Sequence, residues 1–413
     1  MTTRTPAVAI VGAGPSGLRA AADLATALMG DVLVLDREAE AGGIPRHCFH
    51  PGYGMSDLHR FTTGPRYART LAHRARRAGA EILTHAMVTG WTDDGALAVT
   101  SPQGRFDVKA QAVILATGAR ERPRSARRIP GDRPQGVYTT GQLQNLVHLH
   151  HRTVGKRAVI VGAELVSWSA VLTLRHAGCR TVLMTTRYPA AEVYRSFSLA
   201  GGGLLGVTVS PWTRVVRVIG HGQVSGVEVE DTRTGQRRVV DCDTVVFTGD
   251  WIPDHELARA AGIGLDRRTL GPAVDTRLRT DREGVFAIGN LVHPVDRADC
   301  AALDGAHVVQ PVLRYLNGAR WAPAALELTA GPEFLWASPT RFTPGDPPPA
   351  RDYLLLWPTQ LRSRPRVVAR QGGAEIGAVT TTWPAAPGRV FRVPWSLLDK
   401  ADPSGGQVTV TLQ

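Results

Sequence analysis

The sequence predicts an α/β fold with two Rossmann-like dinucleotide-binding units, the second inserted in the first, and a small C-terminal all-β appendage. Three observations carry this expectation. The apolar run AVAIVGAG, Ala7 to Gly14, enters a glycine turn, then an alanine- and leucine-rich stretch, then a second apolar run, DVLVLD, ending at Asp36. The same order restarts at Lys156 with KRAVIVGAELVSWSAVLTLRHAGCRTVLMTT. Beyond Ala319 the composition changes: a proline-dense segment from Pro344 to Pro349 precedes short runs such as DYLLLW, EIGAVTTTW and QVTVTL. Alternating strand and helix patterns mark parallel βαβ units, whereas closely spaced short strands mark antiparallel β-structure. A pattern that occurs twice is more informative than one that occurs once.

The elements are expected in this order. After the first strand–helix–strand unit comes a loop rich in Gly, His and Pro from Ala41 to Gly64, then a helix from Pro65 to Ala78 with proline in its first turn. A hairpin-like β segment is expected over 81–108, closed by the strand QAVILATGAR. In the second unit, DTVVFTGDW plays the part of that closing strand. GVFAIGN, Gly284 to Asn290, is a further strand, followed by one helix over 298–316. The expected domains are 1–152 for the first part of the first dinucleotide domain, 153–250 for the insertion, 251–320 for the return, and 321–413 for the β-rich tail.

Composition limits the functions open to the chain. Its 413 residues are 43% hydrophobic and 20% charged, an ordinary globular balance. No run approaches the roughly 18 apolar residues of a membrane span, so no membrane partner is expected. Residues Ala7 to Val11 read as a strand and not as a leader, and the expected location is cytoplasmic. The net charge is +12. The arginines are scattered, with short clusters such as Arg74, Arg76 and Arg77, and no helix carries a basic stripe with interleaved aromatics. Nucleic acid is therefore not expected; solvated surface arginine is the plain reading, and an acidic protein partner the functional one. The four cysteines, Cys48, Cys179, Cys242 and Cys300, form no CxxC, so neither zinc nor a redox dithiol is signalled. Cys179 and Cys242 sit beside apolar runs, as core residues do.

The chemistry begins at Gly12-Ala13-Gly14-Pro15-Ser16-Gly17, a GxGxxG between a strand and a helix. The first glycine allows the tight turn, the second lets a pyrophosphate approach the backbone, and the third lets helix and strand pack closely. The helix N-terminus adds free N–H groups and the positive end of a dipole. Asp36, followed by Arg37, stands where a carboxylate accepts ribose hydroxyls. Further positions indicate FAD over NAD: Gly42-Gly43 just after the second strand, Ala116-Thr117-Gly118 after a later one, and the segment TDREGVFAIGN with Gly289 and Asn290 at its end. Arg46 is placed to offset FAD phosphates or an anionic reduced flavin, and Val88 completes the expected cofactor set.

These four blocks, in this order over residues 6–316, resemble the pyridine nucleotide-disulfide reductase superfamily of two-dinucleotide-domain flavoproteins. Within it, GGIPRHCFHPGYGM, TTGPRYA, FTGDWIPDHEL and FAIGNLVHPVDRAD are similar to FAD alpha subunits of the opine oxidase, hydroxyproline dehydrogenase and hydrogen cyanide synthase type. The resemblance implies an FAD-dependent oxidoreductase with a small-molecule substrate and a partner oxidoreductase subunit.

Several residues depart from that pattern. The resemblance places an aspartate on the ribityl chain where this sequence has Asn290, which brings an amide oxygen but no charge. The second motif, Gly162-Ala163-Glu164-Leu165-Val166-Ser167, keeps only its first glycine. Glu164 stands where a phosphate would approach; two like charges ~4 Å apart repel by about 4 kcal/mol at an effective dielectric near 20. A carboxylate also suits a helix N-terminus, so Glu164 could satisfy the N–H groups a phosphate would have used. Gly249 belongs to the same crevice, and Arg187, after Thr186, could grip the 2′-phosphate of NADPH. The balance argues against tight NAD(P)H binding there. The reductase dithiol is reduced to the single Cys48. His47, His50 and His293 are candidate acid–base groups near a flavin, with Cys48 as a candidate thiol. His148, His150 and His151 lack carboxylate or cysteine neighbours and are read as surface, with no metal.

Three functions are open to such a chain. The first is a flavoprotein accepting a hydride equivalent from an amine, an amino-acid-like substrate or a partner dehydrogenase subunit. The second is an NAD(P)H-dependent FAD reductase serving a small acceptor or partner protein. The third is a flavin-bound interaction subunit, inactive alone, in which Trp357, Trp383 and Trp395 either anchor an interface or form the core of the tail.

Overall fold

The structure, a computed structural model, describes residues 2–193 and 201–413. Along the chain, the elements that position the functional residues are β1 (Val8–Val11), α1 (Pro15–Ala27), β2 (Val32–Leu35), α2 (Gly64–Arg77), β3 (Glu81–Leu83), β4 (Ala112–Leu115), β5 (Val137–Thr139), α3 (Thr140–His148), β6 (Arg157–Val161), α4 (Leu165–His176), β7 (Arg180–Thr185), β8 (Thr244–Phe247), β9 (Val285–Ala287), α5 (Ala298–His307) and α6 (Val309–Leu316).

The chain forms two compact units. One comprises residues 1–46, 51–119 and 252–413; the other comprises 47–50 and 120–251. In the first, a parallel sheet runs in the order β9-β4-β1-β2-β3. Every residue of β1, β2 and β4 is buried. That is why these segments read as unbroken apolar runs: a parallel sheet covered on both faces has no wet side to alternate with. The second unit repeats the plan, with β5-β8-β6-β7 and the short strand Val209–Ser210 in one parallel sheet. The strand order reverses at β1 in the first sheet and at β6 in the second, opening a crevice beyond the carboxyl ends where α/β folds take ligands.

Three details differ from the sequence expectation. Glu81–Leu83 is not part of a hairpin; it pairs in parallel with β2 as the sheet edge, while Met87–Trp91, Leu97–Ser101 and Gly104–Val108 form the antiparallel layer. The helix expected over 298–316 is two helices meeting at Val308. β5 and α3 belong to the second sheet, because β5 pairs with β8, so the second unit begins at Arg120 and not at 153. β5 has three residues, too few for a readable pattern.

The tail forms a five-stranded and a three-stranded sheet around its own apolar core, which includes Phe334, Leu354, Val367 and Val410. Trp357 is buried against Trp336, and the ring of Trp395 meets Phe342 edge-on, whereas Trp383 is exposed. Cys48, Cys179, Cys242 and Cys300 are all buried, and none forms a disulfide. No helix among the described residues is long and apolar enough to cross a membrane.

α1 is held unusually close to α5. A β-carbon added to Gly305 would lie 2.2 Å from the Ser16 carbonyl oxygen, which neither helix can relieve without moving apart. Gly305→Ala is therefore expected to lower the unfolding free energy by about 1–3 kcal/mol, the usual range for overpacking. Urea denaturation of the two proteins measures it, and an unchanged midpoint would contradict the packing described.

Candidate functional site

The first crevice is built where β1 turns into α1. Gly12 has φ +109°, and an added β-carbon there would meet the Ala116 carbonyl oxygen at 2.4 Å. At Gly17 it would meet the Gly12 carbonyl at 2.0 Å. These two glycines are demanded by packing. Gly14 is different: its φ of −78° suits any residue, and an added β-carbon would meet nothing within 4 Å. It faces open space beside the N-terminus of α1, where no side chain caps the helix and Pro15 occupies the first turn. Asp36 closes the far side. Its Oδ2 accepts the Ala13 N–H at 2.6 Å and its Oδ1 the Glu38 N–H at 2.8 Å. Burial raises its pKa, opposed by those two N–H groups.

The other expected cofactor residues converge on the same edge. The Gly42 N–H donates to the Ala13 carbonyl, and Gly43, with φ +61°, packs over Gly14. Gly289, with φ +68°, packs against Ser16. Ala116 and Gly118 continue from β4; between them the Thr117 hydroxyl donates to the Asp254 carbonyl at 2.7 Å. Arg37 is exposed and reaches Asp254 at 3.4 Å. Arg46 turns back over Gly42 to Glu38 and to the Glu40 carbonyl. Val88 is buried in the neighbouring core. An open glycine face, free helix N–H groups and a carboxylate at ribose position fit the pyrophosphate and ribose of FAD. The isoalloxazine of such a cofactor supplies two-electron chemistry; the protein holds and orients it.

Asn290 does something sequence reasoning missed. Its amide oxygen accepts the Asp296 N–H at 2.9 Å and its amide nitrogen donates to the Asp296 carbonyl, so it clasps the loop after β9. That loop is anchored by buried charge. His293 lies 2.6 Å through Nε2 from Asp304, which also accepts the Gly289 N–H at 3.0 Å. Two arginines of the tail reach this loop: Arg392 donates to Asp296 at 2.7 Å, and Arg351, with φ +70°, lies 3.5 Å from Asp296 and 3.8 Å from Asp304. Burial would raise both carboxyls, but Arg392, Arg351 and His293 at Asp296, and His293 and Arg351 at Asp304, hold them below the usual range. Arg351 and Arg392 are far from these aspartates in sequence, and no motif marks them.

His47, Cys48 and His50 cluster with the second unit. The Cys48 thiol donates to the Gln144 side-chain oxygen at 3.2 Å, and Phe49 stacks on His148 at 4.4 Å. Burial, with His176, His50 and His151 nearby, pushes His148 down to about 4. Among the described residues no group of three or more His, Cys, Asp or Glu could hold a metal.

The second crevice is built differently at its turn. Gly162, with φ +127°, packs on the Thr248 hydroxyl, which lies 2.7 Å from the Ser167 hydroxyl. The Ser167 hydroxyl also accepts the Glu164 N–H at 3.1 Å. The Glu164 carboxyl lies directly over Gly249: a β-carbon on that glycine would fall 1.7 Å from Oε1. Arg127 clamps the same turn by donating to the Thr248 and Gly249 carbonyls at 2.9 and 2.6 Å. Burial, then the neighbouring Glu192 and Glu121, push Glu164 up to about 8; burial also pushes Glu192 to about 7 and Glu121 to about 6. Arg187, two residues past the end of β7, is exposed.

A crevice fitted to FAD in one unit and a second unit of the same plan define an FAD-dependent oxidoreductase with two dinucleotide-type domains. The chain belongs to the pyridine nucleotide-disulphide oxidoreductase family, whose model matches residues 6–305. It is 27% identical to a thioredoxin reductase of Treponema pallidum (strain Nichols), covering 75% of this chain and 97% of that one. It is 27% identical to an opine oxidase subunit of Rhizobium meliloti over 68% of this chain, and spans 58% of that subunit. A ferredoxin–NADP reductase of Ignicoccus hospitalis is 23% identical over 76% of this chain and 98% of its own. Among solved structures, thioredoxin reductase of T. acidophilum superposes with a TM-score of 0.62 at 22% identity, over 75% of this chain and 98% of that one.

The two crevices give two expectations. Gly14→Val leaves the fold intact, because the backbone suits valine and the space is empty, but weakens FAD binding at least roughly tenfold, a difference of about 1.4 kcal/mol. Flavin fluorescence titration of the apoprotein reads it, and undiminished affinity would remove Gly14 from the cofactor site. Glu164 holds its proton in the folded state up to about 8 against an ordinary 4.5, so its contribution to stability is full below 4.5 and is lost as pH rises through 8. Glu164→Gln removes that dependence. Urea midpoints from pH 5 to 9 should fall less steeply for the variant, with slopes from Glu192 and Glu121 remaining; parallel curves would show that Glu164 is not buried as described.

Proposed function

We propose that the chain is an FAD-dependent oxidoreductase whose flavin receives a hydride equivalent from an amine or amino-acid-like substrate, or from a partner dehydrogenase subunit, and not from NAD(P)H bound in the second crevice. The observation that carries this is the Glu164 carboxyl lying over Gly249. It occupies the turn a dinucleotide phosphate would need, and any ionised fraction repels that phosphate. The likeness to the opine oxidase subunit supports an amino-acid-type donor. Asp36, Gly12, Gly14 and Gly17 would hold the FAD, with Gly42, Gly43, Gly118 and Gly289 around it. His293, backed by Asp304, is the candidate proton-handling group of this unit. Disulfide reduction through a dithiol of this chain has no support, since no two cysteines stand in a CxxC or CxxxxC. A cytoplasmic location belongs to the same reading.

A second reading keeps NAD(P)H as donor. It is favoured by the reductase relatives and by the exposed Arg187 just past β7. It requires the Glu164 carboxyl to leave Gly249.

An anaerobic absorbance titration of the flavin-loaded protein separates the two. NADH and NADPH are expected to leave the oxidised-flavin band intact, while one of a panel of secondary amines and amino acids bleaches it. Rapid bleaching by NADPH would overturn the first reading.

A further inference from the structure

Helix α2 has two faces of opposite character. Its inner face, with Tyr67, Leu71 and Ala75, is buried in the core, and the Tyr67 hydroxyl donates to Asp57 at 2.7 Å. Its outer face and the preceding loop carry Arg60, Arg66, Arg69, His73, Arg74 and Arg77, all exposed, around an open groove of about 750 Å3. The helix contains no acidic residue. Arg66 and Arg69, Arg69 and His73, and Arg74 and Arg77 fall three or four positions apart, where basic side chains meet on one helical face. Like charges at that spacing destabilise a helix.

Several arginines elsewhere have acidic partners. Arg214 and Arg237 share Glu230, Arg217 meets Glu228, Arg277 meets Asp346 and Arg366 meets Glu375. Among the described residues, none of the α2 arginines forms an ion pair. Phe61, 70% exposed, stands at one end of the patch next to Arg60. Arginine and exposed aromatic side chains are the residue types that anchor protein interfaces.

We propose that the outer face of α2 is a docking surface for an acidic protein. Charge complementarity identifies the partner: a cationic face without internal counter-charges steers and orients an anionic one. From Arg66 to Arg77 the face is about 17 Å long at 1.5 Å per residue. That is compact enough for the centre of one protein footprint of ~800 Å2. A single-strand nucleic-acid track would interleave aromatics along the basic face, and this one has a single phenylalanine at its end. A membrane-bound helix would present its apolar side to lipid, and that side is buried here. The inner face places the partner beside the candidate flavin site, since a β-carbon on Gly42 would meet the Ala68 side chain at 2.6 Å. The docking proposal itself does not depend on the identity of the electron donor.

The test is fluorescence anisotropy of a labelled poly-glutamate peptide titrated with the full chain. The wild type is compared with R66E/R69E/R74E/R77E and with a control of equal charge change, R152E/R238E/R267E/R320E. The patch variant is expected to weaken binding at least roughly tenfold and to flatten its salt dependence, while the control stays within about twofold. Arginine-to-glutamine versions at the same four positions keep the comparison valid if charge reversal impairs folding. Equal losses in patch and control variants, or no binding by the wild type at low salt, would overturn the proposal. Tighter, patch-dependent binding of duplex DNA or of phosphatidylserine vesicles would overturn the assignment to a protein partner.

Discussion

Gly17 stands so close to the Gly12 carbonyl that no side chain could separate them, and much of the first unit depends on that contact. It brings the N-terminus of α1 against the end of β1, so the helix N–H groups open on the crevice at Gly14. On the other side of α1, Gly305 brings α5 against Ser16. Gly289 packs on Ser16 as well, which ties the end of β9 to the same helix. Three close approaches, each at a glycine, thus fix the edges of one crevice. Close backbone approach is the physical requirement; glycine is the only residue that meets it at these positions.

In the second unit this requirement is relaxed, and the crevice changes accordingly. Gly162 survives because its turn still packs on Thr248. The next two glycines are replaced by Glu164 and Ser167, and the Ser167 hydroxyl satisfies the Glu164 N–H that a ligand could otherwise have bound. The Glu164 carboxyl turns onto Gly249, and Arg127 holds that turn from its carbonyl side. The scaffold of a dinucleotide site remains, with the Glu164 carboxyl lying over Gly249 at its turn. Burial, then Glu192 and Glu121, push the Glu164 carboxyl up to about 8, which favours its neutral form in this position.

The family's plan is legible because it is written in local patterns: GxGxxG between a buried strand and a helix, Asp36 after the next strand, and the same order again from Lys156. The disruption at Glu164 is legible for the same reason. The hidden features depend on long-range packing. β5 is three residues long, and only its pairing with β8 assigns it to the second unit. The break at Val308 has a local cause, Pro311 in the first turn of α6, whose missing N–H cannot continue the ladder from α5; the unbroken apolar pattern on either side masks it. Asn290 reads as a cofactor residue from its position, yet its amide clasps Asp296 six residues later. Arg351 and Arg392 reach Asp296 and Asp304 from the tail across 40 or more residues of sequence, a separation over which spacing says nothing. The basic face of α2 is visible as composition but not as a face without counter-charges; that needs the positions of every neighbouring acid.

The central claim is that the second crevice is closed to a nicotinamide dinucleotide by the chain itself. The most direct measurement is calorimetric titration of the flavin-loaded protein with ADP-ribose phosphate, a redox-inactive fragment that reports binding without turnover. The account predicts no saturable heat up to millimolar ligand, corresponding to binding weaker than about −4 kcal/mol. A one-site isotherm with micromolar affinity would contradict it.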